Sequence, residues 1–197
     1  MTGLTFSVLG QDVSDFQYTE KNGKITITEY SGSEKDITIP ALINNLPVTV
    51  IGKRALFNKQ LTSVILPDSL IIIEMHAFRQ NKLTSITLPN NITYIGGAAF
   101  RNNQLTSVTI STSLTKIEDD VFRHNQLTSI TIPDNVTIIG RGAFTENQLT
   151  SITISNRVTQ IRAYSFKDNK LTSVVIPSSV KTLAEDAFDP DVVITKR

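Results

Sequence analysis

With 197 residues, no cysteine and a net charge of +1 from 19 basic and 18 acidic side chains, the chain has neither disulfides nor thiolate metal sites, and no basic excess of the nucleic-acid-binding kind. Aromatic residues make up only 7%, and six of the nine phenylalanines fall in one apolar column, so base-stacking side chains on a basic face are lacking as well. No run approaches the ~20 apolar residues of a membrane span, so no membrane insertion is expected.

In chain order, the opening Met-Thr-Gly-Leu-Thr-Phe-Ser-Val has neither the basic nor the apolar region of a signal peptide. Either a cytoplasmic protein or a piece of a longer secreted chain fits it. Asn22-Gly23 then stands between two strand-like runs, Tyr18 to Lys21 and Lys24 to Ile27, and predicts a hairpin. Residues 1–36 are accordingly read as an N-terminal cap and residues 37–197 as a repeat domain. Ile37-Thr38-Ile39-Pro40 and Val50-Ile51-Gly52 match the two halves of one repeat, separated by an insertion of five residues around Asn44-Asn45-Leu46-Pro47.

From there Leu-Thr-Ser recurs six times, at Leu61, Leu83, Leu105, Leu127, Leu149 and Leu171, always 22 residues apart. Phe78, Phe100, Phe122, Phe144, Phe166 and Phe188 form a second column at the same spacing, with Leu56 in the equivalent place one repeat earlier. A fixed period of this length predicts a solenoid whose coils stack only on their neighbours. Within the unit Leu127 to Gln148, Ser129-Ile130-Thr131-Ile132 alternates polar and apolar, the pattern of a strand with one buried face. Pro133 and Asp134-Asn135 turn the chain into a shorter extended piece, Thr137 to Ile139. Gly140 to Glu146 is expected to make one helical or 3₁₀ turn that drives Phe144 inward. Ser165 is the polar exception in the column that Ala143 occupies here. Asn81, Asn103, Asn125, Asn147 and Asn169 form a third column, read as a structural ladder because a buried amide needs backbone partners. At the C-terminal end Asp189-Pro190-Asp191 breaks the pattern and Val192-Val193-Ile194 begins one more strand, as in a domain cut from a longer protein.

The consensus LTS(I/V)x(I/L)P-x-x-(L/V/I)-x-x-I-x-x-x-AF-x-x-N-x resembles the bacterial BspA-like class of leucine-rich repeats, over residues 16 to 194. The lead-in Ile39-Pro40 to Ile51-Gly52 is similar to the opening repeat of that class. The resemblance implies a right-handed leucine-rich-repeat solenoid with a parallel β-sheet on its concave side and short second strands with helical turns on the other. A parallel β-helix is the structural rival, but the phase of the leucines with single Phe and Asn columns favours the leucine-rich reading. The resemblance also implies a bacterial surface protein that adheres to host or matrix proteins. Members usually begin with a secretion signal and end in an anchor, and neither motif is expected within these 197 residues.

No enzyme is expected. His76 and His124 lie in different columns, and no nucleophile triad or phosphate loop is present. Glu118-Asp119-Asp120 lacks the spaced oxygens of a calcium loop, so neither metal nor cofactor is expected. The Asn91-Ile-Thr93 and Asn135-Val-Thr137 sequons follow from the composition of the repeat.

Three surface columns remain. Ser63, Ser85, Ser107, Ser129, Ser151 and Ser173 stand beside Ile65, Thr87, Thr109, Thr131, Thr153 and Val175 on the expected concave face. A basic row follows the phenylalanines at Arg79, Arg101, Arg123 and Lys167, interrupted by Thr145. Its arginines are expected to repel one another and to suit an acidic protein segment or a sulfated glycan. Ile72, Tyr94 and Ile138 are expected to form a small apolar patch. The leading expectation is a secreted or cell-surface, monomeric, adhesive domain that binds a protein or glycan ligand on a host or neighbouring cell. The alternative is a spacer that presents another domain and binds nothing itself.

Overall fold

The computed structural model describes residues 13–197, so the first twelve residues of the expected N-terminal cap lie outside the described residues. The chain winds into a β-solenoid of about eight turns. Each turn contributes a first strand whose central residue is buried or half-buried, at Asp36–Thr38, Ser63–Ile65, Ser85–Thr87, Ser107–Thr109, Ser129–Thr131, Ser151–Thr153 and Ser173–Ile176, and the last strand, Val193–Lys196, is exposed throughout. These pair in parallel as four separate two-stranded ladders, for example Ser85 with Ser107 and Ser129 with Ser151. Between the ladders the coils are joined by flanking backbone, as where Lys82 N–H donates to Leu61 O at 2.8 Å and Gln126 N–H to Leu105 O at 2.9 Å.

After the six-residue Leu46–Ile51, the second strands are short because only two residues per coil stay extended before the turn begins. Leu46–Ile51, Ile72–Ile73 and Tyr94–Ile95 form one parallel run, and Lys116–Ile117, Ile138–Ile139, Gln160–Ile161 and Thr182–Leu183 form another. The N-terminal hairpin joins the first run. Its strands β1 (Phe16–Lys21) and β2 (Lys24–Tyr30) pair antiparallel through Asn22 and Gly23, both left-handed at φ 54° and 68°, and β2 lies parallel to Leu46–Ile51. The insertion around residue 44 is a second tight hairpin. Ile43 pairs with Leu46 across Asn44 and Asn45, at φ 51° and 62°, which is the two-residue turn that asparagine tolerates best after glycine.

The expected helical turn does not form; among the described residues the only helix is the short 3₁₀ piece Val13–Asp15. From Gly140 to Glu146 the backbone donors alternate. Ala143 and Thr145 donate within the turn, to Gly140 O and Gly142 O. Gly142, Phe144 and Glu146 instead donate to the next coil, at Ala163 O, Ser165 O and Lys167 O. Gly142 and Glu146 are left-handed, at φ 61° and 56°, and a left-handed residue at each end of the segment stops any helix from propagating. The carbonyls freed in this way become inter-coil acceptors. The resulting ladder runs from Tyr30 N–H to Ala55 O, through Phe78, Phe100 and Phe122, to Phe166 N–H and Ala187 O. Tyr30, at the end of β2, thus sits where later coils place phenylalanine.

The core is one continuous stack that includes Phe16, Ile25, Ile27 and Tyr30 of the hairpin. Phe78, Phe100, Phe122, Phe144, Phe166 and Phe188 are all buried, with ring centroids 5.2 to 5.7 Å apart and planes within 14° of parallel. Ser165, the polar member of its column, donates its hydroxyl to Gly140 O at 3.0 Å and so lies buried at no cost in unmade bonds.

Candidate functional site

The asparagine column faces inward at the end of each turn. Asn125 donates from Nδ2 to Phe100 O at 3.0 Å and Phe122 O at 3.1 Å, and its Oδ1 accepts Leu105 N–H at 3.0 Å. Asn81, Asn103, Asn147 and Asn169 repeat this pattern, each Nδ2 bonding the carbonyl of its own coil and of the one before. Each side chain therefore ties at least three backbone groups of adjacent coils.

The first-strand face presents Thr87, Thr109, Thr131 and Thr153 as exposed residues beside exposed serines, with Thr87 opposite Thr109 and Thr131 opposite Thr153. Ile65 and Val175 are 62% and 53% exposed at its two ends. The face holds no charged side chain in these strands from Ser63 to Ile176. The expected apolar patch is divided: Ile72 pairs with Tyr94, but Lys116 follows in that column before Ile138.

The basic row differs most from its expectation. Arg101 Nη1 lies 3.3 Å from Asp120 Oδ2, and Arg123 Nη1 lies 3.7 Å from Asp120 Oδ1. Arg123 Nη2 also meets Glu146 Oε1 at 2.5 Å, and His124 Nδ1 meets Glu146 Oε2 at 2.7 Å. Mutual repulsion is therefore relieved by two carboxylates, Asp120 on the third Leu-Thr-Ser coil and Glu146 on the fourth. Hydrogen bonds from His124 and then Arg123 hold the Glu146 carboxyl below its usual range, and the bond to Glu146 raises Arg123. The acidic run belongs to this network: Glu118 pairs with Lys116 at 2.5 Å, and Asp119 Oδ1 accepts Arg141 N–H at 2.9 Å. No group of three metal-ligating side chains occurs among the described residues. Beyond it, Tyr164 is flanked by Arg141 at 5.2 Å and Lys167 at 5.4 Å from its ring centre, lining a shallow groove of about 370 Å³. Arg79 alone of the three arginines has no carboxylate partner among the described residues.

The pattern of the BspA type Leucine rich repeat region matches residues 49–172 in 6 copies. The chain belongs to that family. This BspA-type repeat domain is similar to a leucine rich cell surface protein of Faecalibacterium prausnitzii, at 29% identity and a TM-score of 0.82, over 96% of this chain and 55% of that one. The domain thus spans about half the length of that relative. It is also similar to a Leucine Rich Repeat protein of T. pallidum, at 26% identity and a TM-score of 0.76, over 95% of this chain and 86% of that one. A leucine-rich repeat protein of Eubacterium ventriosum, 16% identical over 95% of this chain and 52% of that one, shares the fold with a TM-score of 0.68. No curated protein matches the chain. No helix among the described residues is long and apolar enough to cross a membrane.

In this BspA-type domain, Asp120 and Glu146 are the site residues that column reading misses. They act on arginines 19 and 23 residues away, offsets that a 22-residue period does not align. The lowered Glu146 carboxyl sets a sign for pH. A carboxylate whose folded pKa is depressed contributes stability above its unfolded pKa and loses it as pH falls through the folded value. Glu146→Gln is therefore expected to flatten the acid side of the stability profile below pH ~4.3, the ordinary glutamate value. Urea midpoints of both proteins between neutral pH and the acid limit check this, and parallel profiles would remove the network from the account.

Proposed function

We propose that the chain is a non-enzymatic, adhesive repeat domain of a bacterial cell-surface or secreted protein, making protein–protein contact with a host or matrix protein. The observation that supports it most is the likeness to the F. prausnitzii cell surface protein, at 29% identity over 96% of this chain. The first-strand face is the contact surface of this reading. Its Thr87, Thr109, Thr131 and Thr153 rows are exposed and uncharged, so a partner docks there without removing a charge from water.

Binding of the chain to immobilised matrix proteins, with and without the double change Thr109→Glu and Thr131→Glu, tests it. The variant places two carboxylates on the face, and affinity is expected to fall about tenfold or more. Both threonines are exposed, so stability is expected to change by no more than about 0.5 kcal/mol. A ligand whose affinity ignores the change would move the contact elsewhere.

The uniformity of the same face supports a second reading. All six of its serines recur without variation from Ser63 to Ser173, and a face tuned to one partner ordinarily varies and carries aromatic or arginine anchors. A spacer that presents another domain has no need of such variation. Absence of binding across matrix proteins and glycans favours the spacer.

A further inference from the structure

The left-handed position that opens each turn carries Arg54, His76 and Ala98 on successive coils, at φ 61°, 61° and 55°. The position after the phenylalanine carries Arg79 and Arg101 on the second and third of these. Together with Lys53 they place five basic side chains on three adjacent coils, over about 10 Å at ~4.8 Å per coil. Among the described residues no carboxylate pairs with Lys53, Arg54, His76 or Arg79; Arg101 meets Asp120, where the neutralised part of the row begins. Glu74, the acidic neighbour on the same turn, is engaged elsewhere, its Oε2 accepting the Lys53 backbone N–H at 2.7 Å.

Two polar atoms of this cluster are unsatisfied. His76 Nδ1 and Arg79 Nε are shielded from water and have no hydrogen-bond partner. A shielded donor without an acceptor is costly, so a shift of either half-buried side chain that lets an oxyanion reach it is favoured. The electrostatics agree with the geometry. Burial, then Arg79, Arg54, Lys53 and Arg101, press His76 below its ordinary pKa. Burial, Arg101 and Arg54 lower Arg79, opposed only by Asp120.

We propose that Arg54, His76 and Arg79, extended by Lys53 and Arg101, form a binding site for the sulfate esters of a glycan chain lying along the solenoid axis. On the third coil beside the cluster Gly96 and Ala98 are buried and only Gly97 is partly exposed, which offers a peptide side chain no anchor there, whereas a glycan is held through its sulfates alone. A sulfate ester also keeps its full charge in the range where His76 takes up a proton, whereas a phosphate monoester loses its second charge near pH 6. A bound anion raises the pKa of His76, so binding takes up a proton and strengthens as pH falls through the histidine range. The site is separate from the first-strand contact surface, and its loss is seen whether or not a protein ligand binds the threonine rows.

The test is calorimetric titration of the full chain at physiological ionic strength. The probes are a heparin-derived oligosaccharide, its desulfated counterpart and an oligoglutamate of equal charge. The sulfated probe is expected to bind, the desulfated one not to, and the oligoglutamate about tenfold more weakly. Arg54→Gln with Arg79→Gln is expected to cost about tenfold or more, against less than about twofold for Lys170→Gln with Lys181→Gln, which removes the same charge elsewhere. Binding by the natural chain should tighten from pH 7.5 to 5.5, a change that His76→Asn abolishes; asparagine keeps the left-handed backbone in place. Equal losses in the two double variants, equal affinity for oligoglutamate, or no binding of the sulfated probe would each overturn the site.

Discussion

Phe122→Ala is expected to destabilise the domain by about 3–5 kcal/mol, the range for removing a fully buried aromatic ring from a packed core. Phe122 is 1% exposed and stacks on Phe100 at 5.7 Å and Phe144 at 5.6 Å, so the deletion opens a cavity between two rings in mid-stack. Inter-coil hydrogen bonds hold its backbone on both sides, from Phe100 N–H to Val121 O and from Phe122 N–H to Ala143 O, which keeps the coils from closing the void. Phe188→Ala supplies the comparison. That ring is 5% exposed and among the described residues stacks on Phe166 alone, at 5.2 Å, so fewer contacts are lost and the surroundings relax more easily. Its cost should be clearly smaller. Urea titrations of both variants decide the matter, and equal shifts would contradict an energy carried by coil-to-coil stacking.

Asn125→Leu is expected to cost about 1–3 kcal/mol, although it replaces a polar side chain in an apolar interior. Leucine leaves Leu105 N–H without its partner, at about 1–3 kcal/mol for a buried unsatisfied group, and takes one of two amide donors from Phe100 O and Phe122 O, which keep those of Asn103 and Asn147. Little apolar contact is gained in return, because the side chain faces these backbone groups. Asn125→Asp is the informative companion. It keeps the acceptor for Leu105 N–H but turns a donor toward two carbonyl oxygens into a charge, so it should be no better than leucine. Stability equal to the natural chain in either variant would show that the amide carries none of this structure.

Much of the architecture is legible in the chain because a strict period assigns residues to columns without any knowledge of their conformation. The 22-residue spacing of Leu-Thr-Ser puts Ser85 beside Ser107 and Thr131 beside Thr153, and these pairs are the parallel register of the strands. It also puts the phenylalanines in one file and the asparagines in another, and apolar alternation says which face is buried. By itself, then, the sequence determined the number of coils, the order in which they stack and the membership of each column.

Only the tertiary structure decided how the turns are built and which charges remain free. Gly140 to Glu146 has a composition that suits a helical turn, yet its donors at Gly142, Phe144 and Glu146 bond the next coil, a partner absent from any single repeat. The arginine row has the composition of a repelling file, yet Arg101 and Arg123 reach Asp120 and Glu146 diagonally, from other columns. Arg79 is identical in type and register to Arg101, and differs because its own and neighbouring coils place Arg54, His76 and Ala98 where the third Leu-Thr-Ser coil places Asp120. A period aligns residues along the axis, whereas ion pairing depends on the reach of long side chains across it. That reach is set by backbone conformation and by what the adjacent coil presents, which exist only once the coils have stacked.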